Sequence, residues 1–268
     1  MKKLTGRFPR STRAMVFALL AAMIAIVWAE VIKDTVDHYA EYREAQRVVA
    51  ANATVDHLMH AGQNLGFERG RTNFALHQDL PTSSENRPLI DQRRRAFDTE
   101  FAAALEHLGD DALAASFRDK LATLAELRQR ADLALALPLA ERPAELPGIW
   151  FPTLTTLMAD VEALMADVSL GPERYTATFR ILSRIKIMAF RLRMSLGAES
   201  ARISSGIAAG RPFDQSTLNE MARLRGESTA TWAALKKEIK LVSSDRLQQS
   251  LSGVDKLFFA DFRPMQDH

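Results

Sequence analysis

The 268 residues contain no cysteine, which excludes disulfides and thiol chemistry and fits an extracytoplasmic domain. Proline is sparse and unevenly spread. None lies between Pro9 and Pro81, Pro88 and Pro138, Pro172 and Pro212, or Pro212 and Pro264, and such intervals read as helices or helix pairs because proline is rarely tolerated inside one. No stretch in them alternates apolar and polar residues for long, which argues against strands. Acidic residues are missing from the first 29 positions, where Lys2, Lys3, Arg7, Arg10 and Arg13 supply five of the 35 basic residues. Without those five, the chain has fewer basic residues than its 33 acidic ones, so the basic balance gives no support to nucleic-acid binding. No nucleophile beside a base, phosphate loop or paired-carboxylate cleft stands out, so neither an enzyme nor a cofactor is expected. A hydrophobic content of 47% is enough for a real core and excludes disorder as the main description.

What is present begins with an apolar run. Ala14 to Ala29 carries no charge, and continuing the helix to Ile32 gives a segment of roughly 28 Å, enough to span a bilayer. The positive charges precede it, while Trp28, Glu30 and Asp34 mark its other end. The positive-inside rule then puts residues 1–13 in the cytoplasm and the body in the periplasm, as a single-pass protein of the inner membrane. Val27-Trp28-Ala29 also admits a signal-peptide cleavage, but the helical pattern runs through that cut, and an uncleaved anchor is the reading taken. Either way the body is exported.

One segment occurs twice, 131 residues apart. Leu65, Gly66, Glu68, Arg71 and Pro81 match Leu196, Gly197, Glu199, Arg202 and Pro212 without a gap, and Arg94 matches Arg225 in the same register. The repeat implies two similar helical bundles with a ligand site between them. The fold expected is all-α, a long N-terminal membrane helix continuing into two pseudo-repeated antiparallel bundles. The divisions are a basic tail (1–13), a transmembrane helix (14–32), a first bundle (33–137), a proline-rich connector at Pro138, Pro143 and Pro147 (138–149), and a second bundle (150–265). Helices are expected from the membrane to about His77, then over 87–108, 111–137, 150–170, 173–209, 217–240 and 246–262, with breaks at Gly109, Gly171-Pro172 and Gly210-Arg211-Pro212.

With about 100° per residue, Val48, Ala51, Val55, Leu58, Gly62, Leu65 and Leu76 fall on one core-facing stripe of the first helix. Arg69 and Asn73 lie on it too, whereas Arg71 points away. A guanidinium on a core face needs an anion or several acceptors. Either Glu68, Glu100 or Glu199 pairs with Arg69 internally, or its fork holds a small anion. Gly62, Gly66 and Gly70 run beside it and let a neighbouring backbone come close.

The corresponding stripe of the second copy holds Phe179, Leu182, Lys186, Ala189, Arg193, Leu196, Ser200, Ser204 and Ile207, with Ser200 at the position of Arg69. Arg180, Arg184, Arg191 and Arg202 group as a solvated face, whereas Lys186 and Arg193 sit on the apolar side. His57 and His60 have a spacing that can serve a metal, but no matching pair appears elsewhere, and they are read as surface histidines with no metal site.

Leu65-Gly66-Phe67-Glu68-Arg69-Gly70-Arg71-Thr72-Asn73 resembles the nitrate- and nitrite-sensing type of helical sensor domain, whose first long helix carries a Glu-Arg-Gly motif. Trp150-Phe151-Pro152-Thr153-Leu154-Thr155 and Ile207-Ala208-Ala209-Gly210-Arg211-Pro212-Phe213 resemble the second half of such regions in chemotaxis receptors and diguanylate cyclases. The likeness covers roughly residues 14–265. It implies paired bundles holding a small oxyanion near arginines, with Arg69 the matching arginine and a second arginine where this chain has Ser200. The ligand-binding set expected is Arg69, Asn73, Arg193 and Ser200, and the partners are a small anion, the membrane and a second copy joined through the first helix. The resemblance also implies a further membrane helix and a signalling domain, yet no apolar run follows Phe259. A shortened receptor, a stand-alone subunit and a fragment all fit. A different class of reading is a structural or interaction subunit of a membrane receptor with no ligand, in which Arg69 is paired internally.

Overall fold

The computed structural model describes residues 10–265 apart from 83–84, 110, 170–176 and 211. Among the described residues every regular element is helical. In chain order these are α1 (Arg10–Leu76), α2 (Asn86–Leu108), α3 (Asp111–Leu135), a 3-10 turn (Leu139–Glu141), α4 (Leu146–Ser169), α5 (Ala177–Ala209), α6 (Gln215–Ile239) and α7 (Asp245–Val254). A π-helix (Asp255–Phe262) and the short α8 (Arg263–Met265) follow. Most of the basic tail, the Gly171-Pro172 break, the start expected at Glu173, and Arg211 lie outside the described residues. The chain divides into two compact units, Met1–Val48 and Val49–His268.

In the first unit, α1 is long and apolar enough near the N-terminus to cross a membrane. Its apolar side chains have no protein around them: Phe17 is 71% exposed and Trp28 is 62% exposed. A core helix of a water-soluble protein would bury such residues.

In the second unit the helix ends follow local chemistry. Gly109 and Gly210 take the left-handed conformation (φ 60° and 58°) that favours glycine, and each donates its N–H back into the preceding helix. Asp214 caps α6 by accepting the Thr217 N–H at 2.7 Å, and Ser244 caps α7. The end of α1 is closed by a side chain from the proline-rich connector. The Arg142 guanidinium donates to the carbonyls of Ala75, Leu76, Gln78 and Leu80 at 2.7–3.1 Å, placing a cation on the negative end of the helix.

Helices α1 to α4 share one core, built around Val55, Leu58, Leu65, Phe97, Leu124 and Trp150. Cross-pairs fix their directions. His57 with Glu100 and Glu68 with Arg94, Arg94 with Asp132 and Asp98 with Arg128, and Lys120 with Asp160 and Arg130 with Glu145 run in opposite order, so successive helices are antiparallel, the geometry of an up-and-down four-helix bundle. A second core joins Ile185 and Leu192 of α5 to Trp232, Leu235 and Ile239 of α6, with Phe259 stacked on Trp232 at 4.9 Å. Residues 150–169, expected in the second bundle, instead bury Trp150, Leu154, Met158 and Val161 in the first core. The reason is the glycine flank of α1, where a Cβ on Gly66 would come within 2.8 Å of Met158 Cε. A Cβ on Gly62 would meet the Phe190 ring of α5 at 2.5 Å. The glycines therefore receive side chains, not the neighbouring backbone expected.

The repeated acids are buried anchors. Glu68, with no exposure, accepts from Arg94 Nε at 2.9 Å and from Arg128 Nε and Nη2 at 2.9 and 2.7 Å. Glu199, 2% exposed, accepts from Arg225 Nε at 2.8 Å and lies 3.5 Å from Arg263 Nη2. The glutamate and the arginine of each copy thus meet one another.

Candidate functional site

The stripe on α1 buries Val55, Leu58, Leu65 and Leu76 almost completely, and it carries Arg69 inward with them at 2% exposure. Around Arg69 the start of α4 forms a cradle. Trp150 Nε1 donates to the Arg69 carbonyl at 3.1 Å, the Phe151 ring lies 4.4 Å from the guanidinium carbon, and Thr155 Oγ1 accepts from Nη1 at 2.8 Å. Nε is buried with no partner. The acids expected as internal partners are engaged elsewhere: Glu68 by Arg94 and Arg128, Glu199 by Arg225 and Arg263, and Glu100 by His57 at 2.7 Å. Arg69 thus makes no ion pair among the described residues. Burial, and then the nearby Arg202 charge, push its pKa down to about 10. It remains a cation at neutral pH, and confining that charge costs roughly 3 kcal/mol.

Arg69 borders a cavity of about 630 Å³ between α1 and α5, closed on one side by Met158 of α4. Its wall includes Arg71 and Arg193 as well, and no aspartate or glutamate among the described residues. Arg193 lies 4.5 Å from the centre of the Phe67 ring, and Arg93 lies at the same distance from that ring. Burial, and then the Arg93 charge, lower the pKa of Arg193. Two guanidiniums on one ring recur at Phe151, which Arg202 approaches to 4.8 Å. The cavity is therefore electropositive, with Arg69 and Arg193 held against aromatic faces, Arg71 on Asn86, and none of the three paired with a carboxylate among the described residues.

The expected site residues divide accordingly. Arg69, Arg193 and Ser200 line this cavity, Ser200 being exposed at its rim. Asn73 does not. Its amide donates to Ser205 Oγ at 2.5 Å, and it borders a neighbouring cavity of about 510 Å³ together with His77 and Arg202. Lys186, on the same stripe as Arg193, is paired with Asp56 at 2.5 Å and Asn52 at 2.7 Å.

The expected core stripe of α5 is divided: Phe179 is buried, Ala189 and Leu196 pack against the second core while also bordering the space, Arg193, Ser200 and Ser204 border it too, and Ile207 is 71% exposed. Because α5 packs against both cores, its buried residues (Ile185, Phe190, Leu192, Ala198 and Ala201) spread around the helix instead of forming one stripe.

Arg71, expected to point away into solvent, is exposed yet borders the cavity and donates to Asn86 at 3.3 Å. Arg202, expected on a solvated face with Arg180, Arg184 and Arg191, leaves them and reaches over Phe151. Phe67, Phe151, Thr155 and Arg202 are thus site residues that spacing alone did not single out. The Leu65–Asn73 motif, which holds Phe67, and the Trp150–Thr155 motif, which holds Phe151 and Thr155, were the available signals. His57 and His60 both approach Glu100, and the ring of His57 meets that of His107 at 5.1 Å, but no group of three or more potential metal ligands forms among the described residues.

Comparison with models of known protein families, with curated proteins and with solved structures found no match to this chain.

Proposed function

We propose that this chain is a membrane-anchored extracytoplasmic sensor, the input module of a signal-transduction protein, which binds a small anion at Arg69. The observation that carries this reading is a guanidinium 2% exposed, with an unpartnered Nε and no ion pair among the described residues, on a cavity whose described wall holds three arginines and no acid. A buried cation with a hydroxyl and a ring beside it but no counter-ion is costly, and an anion reaching the guanidinium from the cavity would recover that cost. In this reading the protein is no enzyme, and it belongs to the nitrate- and nitrite-sensing type of helical sensor whose motif it resembles. The apolar stretch of α1 is a single-pass anchor in the inner membrane with the body in the periplasm.

We also read the body as a doubled unit. Support comes from the matched pairs Glu68–Arg94 and Glu199–Arg225, and from the parallel course of α1 and α5, where the equivalent positions Gly70 and Ala201 adjoin. A ligand between these two helices would shift one against the other by roughly 1–2 Å, a known signalling motion. Thermal melts of the detergent-solubilised full chain test the proposal. Some member of a panel of nitrate, nitrite, acetate and larger carboxylates should raise the melting temperature of the wild type and leave Arg69→Ala unmoved. A panel without effect would contradict it.

A further inference from the structure

The size of the Arg69 cavity bears on what kind of anion it takes. A nitrate or nitrite ion has three or four heavy atoms and fills a space on the order of one or two water molecules, each with a liquid share of about 30 Å³. The cavity is about 630 Å³, within the range of about 300–1,000 Å³ typical of sites for whole organic ligands.

Its wall is also two-sided. Arg69 and Arg193 supply charge, whereas Phe74, Met158, Phe190 and Leu196 supply a broad apolar surface that a bare oxyanion would leave wetted. A carboxylate fits the fork of a guanidinium in a bidentate fashion, and an apolar body attached to it would displace water from the remaining wall. We infer that the ligand is an organic carboxylate with a bulky apolar body, its head on Arg69 and its body against Met158, Phe190 and Leu196. This rests on the proposed anion site at Arg69 and replaces the small oxyanion there with a larger organic one.

Three consequences separate this ligand from a simple oxyanion. The head alone binds weakly, because it leaves most of the wall unfilled. The body alone binds weakly, because Arg69 stays uncompensated. Filling the cavity from its rim blocks the full ligand without touching Arg69. Ser200 is exposed and borders the space, so a large side chain there intrudes on the cavity and leaves the buried core alone.

Isothermal titration of the detergent-solubilised full chain tests this with four probes: 1-naphthoate, the neutral 1-naphthalenemethanol, acetate and nitrate. Naphthoate should bind at least about tenfold more tightly than each of the other three, because both the charge and the buried ring contribute. Ser200→Trp should weaken naphthoate by about tenfold or more with an unchanged far-ultraviolet spectrum. If nitrate or acetate binds as tightly as naphthoate, the organic ligand is refuted while the anion site stands. If the alcohol matches naphthoate, the carboxylate head is refuted. If none of the three anions binds, the anion site and this inference fall together.

Discussion

At the scale of single residues, the contrast between Glu68 and Arg69 carries the account. They are adjacent, both almost fully buried and oppositely charged, yet only Glu68 has partners of opposite sign. Replacing Glu68 by Gln takes one carboxylate from Arg94 and Arg128, which keep Asp132 and Asp98, and should destabilise the protein by about 1–3 kcal/mol in a denaturant titration. Replacing Arg69 by Met removes an uncompensated charge and keeps the volume. That variant should melt at or above the wild-type temperature without ligand and lose any anion-induced shift, whereas a clear fall in stability would mean that Arg69 is a structural brace. The penalty for the Arg69 charge is full below about pH 10 and fades as pH rises through that value, because the folded pKa is the lowered one. Anion affinity should therefore be level between about pH 6 and 8 and decline only near pH 10, as followed by titration calorimetry. The burial of Arg69 was legible from helical spacing. Its surroundings were not, because Trp150, Phe151 and Thr155 arrive from α4, far along the chain. The reach of Arg202 was not legible either, since a long side chain can leave the face that its Cα suggests.

At the scale of elements, proline and glycine made most helix limits readable. Gly109 and Gly210 stop helices where left-handed backbone is needed, and Pro138 precedes the 3-10 turn. What escaped was the part of the connector that closes α1. Arg142 is one charged residue among prolines in the sequence, yet it satisfies four carbonyls near the end of that helix. Arg142→Ala should cost about 2–3 kcal/mol in chemical unfolding, because those carbonyls lose their donor. Escaping too was the membership of α4, which depends on how Met158 seats against Gly66 and not on the order of elements. Gly62→Ala should destabilise by about 1–3 kcal/mol, since the Phe190 ring must move to admit the methyl group. A single helical wheel assumes one core, and α5 packs against two, which explains why its expected core face serves partly as core and partly as cavity wall.

At the scale of the molecule, the all-helical class and the apolar N-terminal helix followed from composition and spacing, whereas the cavity did not, because a void is a property of how helices lean together. In the proposed sensor the exposed residues of α1 beyond the apolar stretch join two copies. The chain has no cysteine, so a single Val36→Cys substitution should give disulfide-linked dimers in oxidised membranes, and Leu133→Cys, on the exposed side of α3, should not. The measurement that most directly tests the central claim is a pair of calorimetric titrations, of the wild type and of Arg69→Met, against nitrate, nitrite, acetate and 1-naphthoate. The wild type should bind at least one of these anions saturably and a folded Arg69→Met none; equal binding by both proteins, or none by the wild type, would contradict an anion site at Arg69.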